Sequence, residues 1–240
     1  MSGHSKWSQI KHKKALTDAK KGKIFSKMAR LIAVAARAKG GDPEKNSALR
    51  MMIDRARALN MPQDNIERAI ARGTGELEGV KIEEFVLEAY GPGGAALIIE
   101  GTTDSKNRTV SEIKHSLSLY DGKLANPGSV LWLFERLGTI NVVRGNITKD
   151  NLEMIAIDAG AQDLKWLDDN LEIYTAPEAL EKTKKSLEEK NISASEAALG
   201  WKPKNEVALT NPAAKERLEK LYEALDENDD VNEIYSNVSE

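Results

Sequence analysis

Lys6, Lys11, Lys13, Lys14, Lys20, Lys21, Lys23, Lys27 and Arg30 crowd the start of the chain, with Asp18 as the one acid among them. Cations at this density do one kind of chemistry: they replace the counterions of a polyanion. Trp7 sits in the same polar stretch, where an exposed indole can stack on a base. His4 and His12 lie close by as further hydrogen-bonding groups. Up to Lys39 there are eleven Lys/Arg against one acid, a local charge of +10 in a chain whose total is −3. Counted to Gly75 the charge is +11, so Glu76 to Glu240 carries −14. A basic head on an acidic body implies nucleic acid as the first partner.

Other residue groupings offer less chemistry. Thr102 to Thr109 lies where a strand gives way to a helix, and amides at that helix start, with Lys106 and Arg108, could hold a phosphate. An N-cap with solvent-facing charges explains the same residues equally well. Gly91-Pro92-Gly93-Gly94-Ala95-Ala96 satisfies G-x-G-x-x-A, but a strand follows it instead of a helix, so it reads as a hairpin turn and not a dinucleotide site. Ser111 and His115 share a helix face without an orienting acid or an oxyanion donor. Asp226-Glu227-Asn228-Asp229-Asp230 starts like a calcium loop, yet Val231 stands where Gly is needed and Asn237 where Glu is needed, so it reads as an acidic connector. There is no cysteine and only three scattered histidines, so no metal is expected. With no phosphate loop and no convergent set of titratable groups, neither a cofactor nor a small-molecule substrate is expected. The apolar run Leu31 to Ala36 is far too short for a membrane span, and no secretory signal is visible. The expectation is a cytoplasmic, non-enzymatic protein, monomeric by default.

These groups need elements to position them. A helical pattern sets in at Lys23, after an interruption at Gly22, with Ile24, Phe25, Met28, Leu31, Ile32, Ala35 and Ala36 on one face. Gly40-Gly41 ends it, and Asp42-Pro43-Glu44 reads as the start of a second helix using Leu49, Met52, Ile53, Ala56 and Leu59. A third runs from Pro62 to a stop at Gly73. Their exposed faces carry Arg50, Arg55, Arg57, Arg68 and Arg72. Beyond Gly79 the period changes. Strands are expected at 82–90, 95–100, 130–134 and 139–143, with a break at Arg136 to Gly138, and a helix after Asp104. Residues 147–159, 164–167, 171–174, 177–190 and 196–199, the last extended by 207–209, complete a βαββαβ order that fits a ferredoxin-like sandwich. A final helix (212–225) and strand (231–235) are too little to form a core and must pack on an earlier sheet.

Several stretches resemble the YebC family, which includes the mitochondrial translational activator of cytochrome c oxidase. They are Gly3-His4-Ser5-Lys6-Trp7, Ile10-Lys11-His12, Asp18 to Phe25 and Asn60 to Ile66, followed in order by Tyr90 to Gly94, Asn107-Arg108-Thr109 and Gly128-Ser129-Val130. The resemblance spans essentially the whole chain; Gln162 departs from it, where the family usually has an acid. It implies an α+β protein of three domains: an N-terminal three-helix bundle with the basic arm (1–76), a central α+β domain (77–135 and 210–240), and a ferredoxin-like domain inserted into it (136–209). It also implies no enzymatic activity. Family members are described either as DNA-binding transcriptional regulators or as ribosome-associated factors that help translation past proline runs. Both are nucleic-acid readings. A flexible basic arm with Trp7 and His4 suits structured RNA, and no helix start shows a base-reading cluster, so ribosomal RNA is the favoured ligand and DNA the alternative.

Overall fold

The computed structural model describes residues 18–239. They form two compact units: Arg136–Lys202, and the two segments that precede and follow it in the chain.

The larger unit begins with α1 (Asp18–Lys39), α2 (Ser47–Ala58) and α3 (Gln63–Thr74). Met28, Ile32, Ala36, Leu49, Ile53, Ala56, Met61, Ile66 and Ala69 form their shared core. Three details differ from the sequence reading. α1 runs through Gly22 without a break, because an exposed glycine costs a helix only about 1 kcal/mol. The second helix starts later than Asp42, whose carboxylate merely closes a turn onto the Glu44 amide. The cap is buried Asn46: its carbonyl oxygen accepts from the Leu49 amide at 3.1 Å while its NH2 donates to the carbonyls of Ala35 and Gly40, both at 2.8 Å. An aspartate could accept but not donate, so it is an asparagine that can tie the end of α1 to the start of α2. Gly73 does not end α3. A Cβ there would lie 2.4 Å from the Ala33 carbonyl oxygen and 2.8 Å from the Ala36 Cβ, so Gly73 is where α3 crosses α1, and Gly75 (φ +85°) makes the left-handed cap.

The rest of this unit is a four-stranded antiparallel sheet of order β3-β1-β2-β9, with β1 at Glu83–Tyr90, β2 at Ala96–Thr103, β3 at Lys123–Leu124 and β9 at Val231–Ser236. Phe85, Ala89, Leu97, Ile99 and Ile234 meet Ile113 and Leu117 of α4 (Lys106–Leu119) and Leu218, Leu221, Tyr222 and Leu225 of the chain's last helix (Pro212–Asp226). The closing helix and strand therefore do complete an earlier sheet.

The smaller unit has the expected βαββαβ order: β4 (Phe134–Val143), α5 (Lys149–Ala159), β5 (Asp163–Leu167), β6 (Asn170–Thr175), α6 (Leu180–Glu189) and β7 (Ala194–Pro203), with sheet order β5-β6-β4-β7. β4 is unbroken: Gly138 stays within the strand, and a Cβ there would fall 2.9 Å from that of Leu180. Residues 131–133, expected as strand, form a 3-10 turn. β7 closes the sheet without help from residues 207–209. Past it, the Lys204 amide donates to the Leu133 carbonyl, and β8 (Val207–Ala208) pairs in parallel with β10 (Val238–Ser239). The last helix, numbered α7 here, follows Asn211, whose side chain caps it.

Two glycines of α1 and α3 make the packing testable by chemical denaturation. Gly73→Ala should cost about 1–3 kcal/mol through overpacking. Gly22→Ala, where an added Cβ meets nothing within 4 Å among the described residues, should stabilise by about 0.5–1 kcal/mol. A neutral Gly73→Ala would contradict the close crossing.

Candidate nucleic-acid interface

α1 carries two stripes at helical spacing. Met28, Ile32 and Ala36 enter the bundle core. Lys23, Lys27 and Arg30, at steps of four and three, form the other, and it meets the acidic segment 226–230 at the end of α7. The Lys23 ammonium lies 3.0 Å from the Glu227 carboxylate and 3.5 Å from that of Asp229, and also donates to the Glu227 main-chain oxygen. Lys27, only 6 % exposed, donates to the Asp226 carbonyl at 2.8 Å, with the Asp226 carboxylate at 3.6 Å. Both lysines thus cap carbonyls at the negative end of a helix dipole. Arg30 pairs with Asp230, and Arg55 of α2 pairs with Glu233 on β9. Two turns beyond Arg30, Arg37 donates to the Ile82 carbonyl at 2.7 Å.

Asp230 is the centre of this contact. It is 3 % exposed, and its carboxylate accepts from the hydroxyls of Thr109 at 2.6 Å and Thr103 at 3.1 Å, from Arg108 at 2.8 Å, and from Arg30. Its main-chain oxygen accepts from the Thr102 amide at 2.9 Å. Gly101 permits that approach, since a Cβ there would stand 2.0 Å from the Asp230 oxygen. Burial pushes the carboxyl's pKa up, but the bonds from Thr109, Arg108, Arg30 and Thr103 outweigh it and hold the value at about 2. The strand-to-helix junction that was a candidate phosphate site therefore embraces the chain's own carboxylate. Arg108 is bound there by Asp104 and Asp230, while Lys106 stands exposed.

The sequence-expected contacts divide accordingly. His4, Lys6, Trp7, Lys11, His12, Lys13 and Lys14 lie outside the described residues, as does the side chain of Lys20 on the first turn of α1. Lys21 is exposed on α1. Lys23, Lys27, Arg30 and Arg108 are brought together around the 226–230 segment. By composition alone that segment reads as a connector and the cations as one undivided patch; only their repeat at helical spacing marks which of them dock. On other faces of the bundle Lys39, Arg57, Arg68 and Arg72 are exposed, with Arg68 and Arg72 one turn apart on α3. At the start of α3 the polar side chains serve their own helix: Gln63 donates to Glu67, and Asn65 accepts from Arg68. No helix among the described residues is long and apolar enough to cross a membrane.

Comparison with known proteins agrees along the whole chain. Residues 5–76 match the model of the TACO1/YebC protein N-terminal domain, and residues 82–238 that of the TACO1/YebC second and third domain. A probable transcriptional regulatory protein of Thermotoga maritima is 52% identical over 238 residues, covering 99% of this chain and 93% of that one. One of Halothermothrix orenii is 49% identical over 239 residues, covering 99% and 94%. The crystal structure of a conserved hypothetical protein from Aquifex aeolicus superposes with a TM-score of 0.89 at 43% identity, covering 98% of this chain and 97% of that one, and shares the mixed α+β multi-domain fold.

Removing the Asp230 charge strands Arg30 and Arg108 against buried hydroxyls. Asp230→Asn should lower the unfolding free energy by about 3–5 kcal/mol at neutral pH. The carboxyl titrates at about 2 when folded and at the ordinary 3.8 when unfolded. Its contribution is therefore complete above roughly pH 4 and lost as pH falls toward 2, so the gap between wild type and variant should narrow across that window. A gap that stays constant from pH 7 to pH 2 would contradict the assigned role.

Proposed function

Since this chain belongs to the TACO1/YebC family, we propose that it is a non-enzymatic, cytoplasmic nucleic-acid-binding regulator of gene expression that acts on the ribosome. In this reading it grips ribosomal RNA and relieves translational stalling, for example at proline runs. One observation carries the nucleic-acid part: the head holds +10 over its first 39 residues, more cation than its docking to the acidic segment consumes. Lys23, Lys27, Arg30 and Arg108 serve that docking. The phosphate contacts then fall to Lys6, Lys11, Lys13, Lys14, Lys20, Lys21 and Lys106, joined by exposed Arg57, Arg68 and Arg72, with Trp7, His4 and His12 as partners for bases and sugars. The resemblance to ribosome-associated relatives supports RNA. So does the start of α3, whose Gln63 and Asn65 are engaged within their helix and not presented as a reading edge.

A second reading is favoured by the relatives' own description as probable transcriptional regulatory proteins. Here the ligand is duplex DNA, held by the same cations through phosphates with little base readout.

Salt titration tests the shared part and a ligand comparison separates the two. Neutralising about six phosphates costs on the order of a thousandfold in affinity between 50 and 200 mM salt. Replacing Lys11, Lys13 and Lys14 together by Ala should flatten the slope of log affinity against log salt by about 2–3. An unchanged slope would remove the arm from the interface. Tighter binding to promoter duplexes than to ribosomal RNA fragments would favour the second reading.

A further inference from the structure

We propose that Trp132 is a rigid stacking platform for an unpaired nucleobase, a proposal that rests on the nucleic-acid reading above. Trp132 is 65 % exposed, between half-buried Leu131 and Leu133, in a segment anchored by buried Val130 (0 %) and Phe134 (3 %). An exposed indole is ordinarily either loosely held or committed to a partner. Trp132 is not loosely held.

Its segment is fixed by a buried carboxylate. Glu88 of β1, 5 % exposed, accepts main-chain N–H groups from Gly128, Val130 and Leu131. Burial pushes the Glu88 carboxyl up, and these three amides outweigh that and hold its pKa below the ordinary value. Gly128 supplies the required left-handed backbone at φ +85°. The Tyr90 hydroxyl donates to the Ser129 carbonyl at 3.1 Å, and the Glu88 main-chain oxygen accepts from the Ala125 amide at 2.8 Å. At the other end, Lys204 donates from its amide to Leu133 and from its ammonium to the Trp132 carbonyl, at 2.9 and 2.8 Å. A turn fastened at so many points loses little further entropy when a ligand arrives.

The kind of ligand follows from what the indole has left to offer. Its Nε1–H already donates to the Ser129 carbonyl at 2.9 Å, so no hydrogen bond remains to be made and what the ring has left to offer is its π surface. The ammonium of exposed Lys204 sits at the Trp132 carbonyl, where it attracts a phosphate flanking whatever stacks on the ring. A flat π surface beside a cation fits an unstacked base of single-stranded or looped RNA, and a duplex, with its bases already stacked, cannot use it. This contact is separate in the chain from Trp7 and is a second base-stacking contact beside the phosphate contacts.

The test uses the full chain with a labelled single-stranded RNA of about twelve nucleotides and a duplex DNA of equal length. Trp132→Ala should weaken the single strand by about 5- to 100-fold, leave the salt slope and duplex affinity unchanged, and keep the wild-type thermal melt. Trp132→Phe should retain most of the affinity. If wild type binds the single strand and Trp132→Ala binds it equally well, the platform is overturned while the nucleic-acid reading stands. A loss shared equally with duplex, or a loss with a flattened salt slope, also overturns stacking. If wild type shows no salt-dependent binding to either probe, the nucleic-acid reading falls and the platform with it.

Discussion

The organisation of the larger unit depends on one buried carboxylate. Asp230 gathers Arg30 from α1, Arg108 and Thr109 from α4 and Thr103 from β2, so a single side chain joins the helical bundle, the central sheet and one of the helices that cover it. A buried charge is tolerated only when paired and fully hydrogen-bonded, and here the partners come from segments far apart in sequence. The bundle and the central sheet consequently form one compact unit, although their amino-acid patterns, one helical and one stranded, look like separate domains. Lys23, Lys27 and Arg55 extend the same contact along the acidic segment and onto β9.

That arrangement changes the meaning of the charge asymmetry. The acidic run 226–230 neutralises one stripe of the basic head, and the cations that point elsewhere keep a field for a polyanion. A patch of uniform positive charge would repel itself. In the proposed reading, dividing it between an internal acidic partner and an external polyanion would let one segment carry both the docking of the bundle and the grip on nucleic acid. Glu88 shows the same physics on a smaller scale: a buried carboxylate, satisfied by three main-chain amides, orders a turn that displays Trp132.

Most elements were legible in the sequence because their periodicities are clean. The apolar steps of α1 to α3, the strands β1 and β2 and the βαββαβ order appear where the pattern places them, while 131–133 form a 3-10 turn and β4 runs through the expected break. What escaped was carried by single residues whose role depends on a distant neighbour. Gly73 looks like a helix stop by composition, but its missing Cβ serves the crossing with α1. Asn46 caps one helix while donating back to another, which no local pattern encodes. Residues 207–209 look like strand for the nearer unit, yet 207–208 pair with β10, beyond the last helix. Asp230 reads as one more acid in a polar run until Thr103, Thr109, Arg30 and Arg108 surround it. A signal for the docked stripe was present in the i, i+4, i+7 spacing of Lys23, Lys27 and Arg30, opposite the densest acidic run in the chain.

The division of the cationic head into a docked stripe and a ligand-facing set is most directly tested by crosslinking the full-length protein to nucleic acid in cells and sequencing both sides of the crosslink. The expected result is ribosomal RNA joined to residues within 3–21, to the Arg57, Arg68 and Arg72 surface, or to Trp132, with Lys23, Lys27 and Arg30 spared. Crosslinks concentrated on Lys23, Lys27 and Arg30 would contradict the division, and recovery of promoter DNA in place of ribosomal RNA would contradict the assignment to the ribosome.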